Sequence, residues 1–313
     1  MRVRRAARRS HRSDRPARRR DALGRQHHRG PLRGTGRPLT LAALALVLAA
    51  AALHAGWNAL VANAADTHAT SAVALLVGAA VFALPAALTW RVDADAWPYI
   101  AASAALELAY FALLAAVYSR ADLSFAYPIA RGSAPVLVLL ISVVALGAKV
   151  SLIAAAGVLA VTAGVLLVRG VGRAAADLGS LALALGVGAC IAGYTLVDDH
   201  GIRHAGTVPY FEVILVACAI PYAVTIAATR GTDAIREAAN LRSAAAGVGM
   251  VTAYLLVLAA LERAEAAPVA ALRETSVVMA AAGAAIAGRE KVPAARLIGA
   301  VLVMFGVAAV ALG

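Results

Sequence analysis

The sequence is poor in charge and almost devoid of cysteine. Of its 313 residues, 15% are charged, 5% are aromatic and two are cysteine, against about 25% charged in an ordinary soluble domain. Cys190 and Cys218 both sit inside apolar runs, which argues against a disulfide framework or a zinc site. There is no phosphate loop, zincin helix or nucleophile elbow, so no cofactor, metal or bound ATP is expected and the chain does not read as an enzyme. What remains is apolar: 62% of the residues are hydrophobic and the mean hydropathy is +0.80. That is the composition of a membrane protein.

The formal charge of +12 belongs to one end. Residues 1–38 hold 14 arginines and two aspartates, while the rest of the chain has 15 basic and 15 acidic residues. With almost no large apolar side chains this tail cannot offset the entropy of ordering, and 1–38 is expected to be disordered. It could serve as an anionic-lipid anchor, a nucleic-acid arm or an orientation signal. The preferred reading is plainer, a solvated tail or an extension produced by too early a start site, with no nucleic-acid partner.

A spanning helix needs about 20 mostly apolar residues. Such runs lie near 41–62, 70–90, 97–118, 124–147, 150–169, 178–198, 208–229, 241–261, 266–287 and 293–312. The expected fold is therefore an all-α membrane protein with about ten transmembrane helices. The breaks between runs are too short for a second soluble domain, so function must reside among the helices. Their Ala- and Gly-rich character suits close packing.

The runs repeat. "HAGWNALVA" (54–62) resembles "CIAGYTLVD" (190–198), and "AYFALLAAVYSRAD" (109–122) resembles "AYLLVLAALERAEA" (253–266). "ARGS" (130–133) aligns with "LRET" (272–275), and Gly157 and Gly164 align with Gly299 and Gly306 at one offset of 142. The chain divides into a first five-helix repeat, 41–173, and a second, 174–313. An odd number of spans per half inverts the second relative to the first, the arrangement that places a substrate site near the midplane.

"HAGWNAL", "AYPIARGSAPVLVLL", "APVAALRETSVVMAAAGAAIAGREKV" and the Gly-rich last helix resemble the EamA family of the drug/metabolite transporter superfamily, over essentially all the chain after residue 40. The resemblance implies ten helices in two inverted repeats, cytoplasmic termini, and export or uptake of small metabolites such as amino acids. Family members often carry Gly-Glu after the fourth and ninth helices, whereas this chain reads "GAK" (147–149) and "GRE" (288–290). Loop arginines and lysines favour an outside N-terminus by nine to four, and the tail reverses that to eighteen against nine inside. A multi-pass protein of the cell membrane with both termini cytoplasmic is expected.

Ionisable groups at membrane depth normally face a cavity or a partner. Arg273 and Glu274 sit in an apolar run, and Arg131 occupies the matching place in the first half. Two such guanidiniums could clamp a carboxylate or phosphate; the competing reading is that they snorkel from helix ends. Glu107, one turn before Tyr110, could carry a proton during transport, or could be a protonated packing residue. His54 and Asn58 share a helix face beside Trp57 and could bind a polar substrate, as could Tyr127 and Tyr254. Pro128, Pro135 and Pro268 are hinges or tolerated kinks. "DDHGIRHAG" (198–206) reads as a solvated loop, with Gly201 ending a helix. The expected partners are a small-molecule substrate and the lipid bilayer, with proton coupling and a homodimer left open. A multispanning enzyme acting on lipid-linked substrates is the alternative.

Overall fold

A computed structural model describes residues 37, 39–118, 123–169, 178–286 and 293–312. The Arg-rich tail lies outside the described residues apart from Arg37. The described chain is all-helical: α1 (Leu41–Ala62), α2 (Thr67–Leu88), α3 (Trp97–Tyr118), α4 (Leu123–Val144), α5 (Leu152–Arg169), α6 (Leu178–Gly201), α7 (Thr207–Arg230), α8 (Thr232–Ala238), α9 (Leu241–Leu261), α10 (Ala266–Arg273), α11 (Thr275–Ile286) and α12 (Ala294–Leu312). The helices α1, α2, α3, α6, α7 and α9 are long and apolar enough to cross a bilayer; α4, α5 and α12 carry shorter apolar stretches. This is a multi-pass membrane protein.

The short polar breaks start and stop these helices. Thr40 accepts from the Ala43 amide at 3.1 Å, Asp66 from those of His68 and Ala69, and Asn240 from that of Ser243, each satisfying donors that a helix N-terminus leaves open. Gly147, the glycine of "GAK", adopts φ 64° after α4, and Gly231 adopts φ 86° between α7 and α8. Both are backbone states that a side chain would strain.

Packing pairs α5 with α12, α1 with α9, α3 with α6 and α2 with α7. Along α5 and α12 the backbones touch. A Cβ on Gly157 would lie 2.8 Å from Gly306 O, and one on Gly164 would lie 2.6 Å from Gly299 O. The early glycine of α5 meets the late glycine of α12, so the two helices run antiparallel. Large apolar side chains such as Leu84, Val144, Leu152 and Phe305 face outward, which lipid tolerates and water would not.

Two expectations need correction. The run 266–287 is not one helix: it breaks at Glu274, whose amide bonds Ala271 O at 3.1 Å in a tighter turn, while the Thr275 hydroxyl takes Leu272 O at 2.8 Å. A side-chain donor on that carbonyl competes with the helical ladder. The stretch "DDH" is not a solvated loop. It lies on α6, and Asp198 is fully buried; the hydroxyl of Tyr210, whose ring packs against Gly201, donates to its carboxylate at 2.8 Å. Arg37 donates to Asp199 Oδ1 at 2.5 Å and to Glu262 O at 3.0 Å. The sequence "GRE" lies outside the described residues.

Candidate substrate site

A cavity of about 190 Å³ lies among the helices and is lined from both halves of the chain. From the first half come His54, Trp57 and Asn58 on α1, Glu107 and Tyr110 on α3, and Arg131 on α4. The second half contributes Tyr254 on α9 and Arg273 on α10. The structure thus brings eight of the ten sequence-identified residues to one space. Glu274 lies behind them, and the Tyr127 side chain is outside the described residues.

Each polar group has a local cause for its position. Asn58 donates to the carbonyl of His54 at 2.7 Å, one turn back on α1, which fixes its amide along the helix. Trp57 meets His54 edge to face, with centroids 4.9 Å apart and planes at 77°, a favoured aromatic geometry. The Trp57 Nε1 is buried without a hydrogen-bond partner among the described residues. Arg131 Nη2 lies 3.4 Å from His54 Nε2, so that ring nitrogen can serve as an acceptor. On its other edge Arg131 Nε is 3.1 Å from Glu274 Oε2, while Arg273 Nε is 3.9 Å from Glu274 Oε1.

The neighbouring pair Arg273 and Glu274 therefore shares its charge with an arginine far away in sequence. All three are nearly inaccessible, with Glu274 at 1% exposure. Snorkelling to an interface is thereby excluded for them.

Other residues join the site that sequence reasoning did not single out for it. Tyr194 on α6 lines the cavity. It is the residue that aligns with Trp57 in the repeated stretches, so the repeat itself carried the signal. Asp198 connects to the cavity indirectly: the Tyr254 hydroxyl makes a short hydrogen bond to it, beside the Tyr210 bond. Phe211, Leu215 and Val257 supply apolar wall, and no local signal separates them from ordinary core residues. The lining thus combines two guanidiniums with apolar side chains.

The bundle is fastened at both ends around this space. At one end Asp199 pairs with Arg37 and with Arg203 at 2.8 Å, and the loops before α3 and α7 join through Gly206 N to Arg91 O at 2.7 Å and Asp93 N to His204 O at 3.0 Å. At the other, Arg230 pairs with Asp66 at 2.9 Å and Arg242 donates to Asn63 O at 3.1 Å.

An all-helical bundle of apolar spans with charged groups facing an internal cavity defines the class: a multi-pass membrane protein. Residues 178–312 match the EamA-like transporter family. A solved crystal structure superposes with a TM-score of 0.68 at 16% identity, covering 86% of this chain and 95% of that one; at such identity the likeness concerns the fold alone. No curated protein matches the chain.

Proposed function

We propose that the protein is a secondary transporter of small polar metabolites, amino acids or related compounds, working by alternating access. The observation that carries this is the cavity: it collects the membrane-depth charges of both halves in one place. A binding space between halves, reachable from either side in turn, is the working principle of repeat-built carriers.

The reading comprises ten spans, α10 and α11 counting as one broken span and α8 lying outside the count, in two inverted repeats (41–173 and 174–313). The α5–α12 seam supports it. In a twofold contact, if i of one unit meets j of the other, then j meets i. With the offset of 142, Gly157 corresponds to Gly299 and Gly164 to Gly306; the observed contacts are Gly157 with Gly306 and Gly164 with Gly299. Their antiparallel course fits a twofold axis lying in the membrane plane. The pairing of α1 with α9 and of α6 with α3 follows the same exchange.

His54, Trp57, Asn58, Glu107, Tyr110, Tyr127, Arg131, Tyr254, Arg273 and Glu274 form the proposed substrate site. The arginines receive a carboxylate and Glu107 a cationic group or a proton. Both termini face the cytoplasm, so the ties of Arg37 and Asp199 close the inner end while those of Asp66 and Arg230 close the outer. A membrane enzyme gains nothing from the acidic end of α6, where Asp199 is already held by two arginines.

The test is purified protein in liposomes, scored for uptake of amino acids, organic acids and sugars. Flux of at least one metabolite is expected, and Glu107→Gln is expected to lower it by about tenfold with no loss of folded protein. Liposomes that move none of these compounds would overturn the reading.

A further inference from the structure

One face of α9 carries Tyr254, Leu258 and, at its C-terminal cap, Glu262. Residues four apart on a helix stand one above the other, so the three form a line. Tyr254 belongs to the cavity wall; Leu258, one turn on, does not and is fully buried. Glu262 lies at the end of the bundle fastened by Arg37 and Asp199. The line therefore runs from the cavity to that end.

Two layers of contacts cross it. In the first, the Tyr254 hydroxyl makes its short bond to one oxygen of Asp198 on α6, while the Tyr210 hydroxyl of α7 donates to the other at 2.8 Å. A single buried carboxyl thus joins α6, α7 and α9. The Tyr254 ring rests on Phe211, with centroids 4.6 Å apart, and on Tyr194 at 6.2 Å. In the second layer the Thr207 hydroxyl of α7 bonds the Glu262 carboxylate, and Arg37 bridges Asp199 to the Glu262 carbonyl. Leu258 sits between the layers. The far end of the bundle is built otherwise. With Gly56-Trp57 set against Gly193-Tyr194, Asp198 and Asp199 fall opposite Val61 and Ala62, so α1 offers no carboxylate there, and the ties of Arg230 to Asp66 and of Arg242 to Asn63 O are both exposed.

Resting on the reading of the cavity as a substrate site, we propose that the line of Tyr254, Leu258 and Glu262 is the passage between the cavity and the Asp199 end, and that Asp198 is the positioning residue that keeps it shut by holding the Tyr254 ring across it. Asp198 lies outside the cavity lining and acts through Tyr254 without touching the substrate. In a dry site a phenol that leaves its carboxyl finds no water in exchange, so the ring stays in place until the helices part. Opening separates α9 from α6 and α7, and Leu258 then meets water.

The reporter is Leu258→Cys in purified full-length protein that also carries Cys190→Ala and Cys218→Ala, reacted with the water-soluble thiol reagent 2-(trimethylammonio)ethyl methanethiosulfonate and read by intact mass. Labelling is expected to be slow, and to become at least about tenfold faster when Tyr254→Phe removes the hydroxyl and keeps the ring. A second reporter, Val303→Cys on α12, which is fully buried beside Gly164, is expected to stay protected in both backgrounds. Unchanged labelling at position 258 overturns the inference. So does fast labelling there while Tyr254 is intact, and so does equal acceleration at position 303, where Tyr254→Phe would merely be loosening the bundle. Should Tyr254→Phe fail to fold, Asp198→Asn, which keeps the shape and one acceptor oxygen, supplies the decision with the same expected direction. If labelling follows the expectation while liposomes carry no metabolite, the opening stands and the carrier falls. If liposomes carry a metabolite and labelling does not respond, the passage falls and the carrier stands.

Discussion

The α5–α12 seam and the central cavity are built from opposite materials. On the seam, Gly157, Gly164, Gly299 and Gly306 bring backbones so close that an added Cβ would strike carbonyl oxygen within 2.8 Å. In the cavity, arginines, tyrosines and Glu107 face a space that packing leaves open. Small residues hold the halves together by proximity, and charged ones cost stability that only a function repays. Seam substitutions should therefore damage the fold, and cavity substitutions should damage flux.

The largest effect expected is from Gly164→Leu, whose side chain would strike Gly299 O, Val303 Cγ2 and Val303 N; overpacking costs about 1–3 kcal/mol even for added methylenes. Size-exclusion profiles in detergent should show loss of the monodisperse species. Normal folded protein from this variant would break the contrast. Next comes Arg273→Ala, which should lower liposome flux about a hundredfold while folded protein is still recovered. If transport is unchanged, the cavity assignment is wrong although the seam stands.

A smaller effect belongs to the periphery. Asp66→Ala removes the cap of α2 and should cost about 1 kcal/mol, measured by thermal unfolding. The Ala69 amide first, and Arg230 after it, hold the Asp66 carboxyl below the usual carboxylate range. Its contribution is accordingly full above about pH 4 and fades as pH falls through that lowered value. The wild-type minus variant difference should shrink in acid. Smallest is Gly56→Ala, where a Cβ meets nothing within 4 Å; in a helix interior this should stabilise by about 0.5–1 kcal/mol and leave flux intact. The same substitution thus changes sign between Gly56 and the seam, which sharpens the comparison.

Much of the fold was legible because hydrophobic runs and their interruptions are local quantities. The observed α1, α3 and α9 coincide with the expected runs 41–62, 97–118 and 241–261. The constant glycine offset marked the repeat, but not that these glycines would meet across α5 and α12. The break at Glu274 was not legible, since hydropathy cannot see a single carbonyl taken by the Thr275 hydroxyl. Nor was the burial of Asp198, which depends on Tyr210 folding back from the next helix. The cavity was half legible: charges at membrane depth announced themselves, whereas Phe211, Leu215 and Val257 look like any other apolar positions until α7 and α9 are placed around Arg131.

Arg37 stands ahead of the first helix and reaches across to Asp199 and the Glu262 carbonyl. Anyone trimming the gene to its greasy portion would be tempted to begin at Leu39, and that choice would discard this strut. Asp199 would be left with Arg203 as its guanidinium neighbour. A shortened version meant to behave like the parent should retain the arginine.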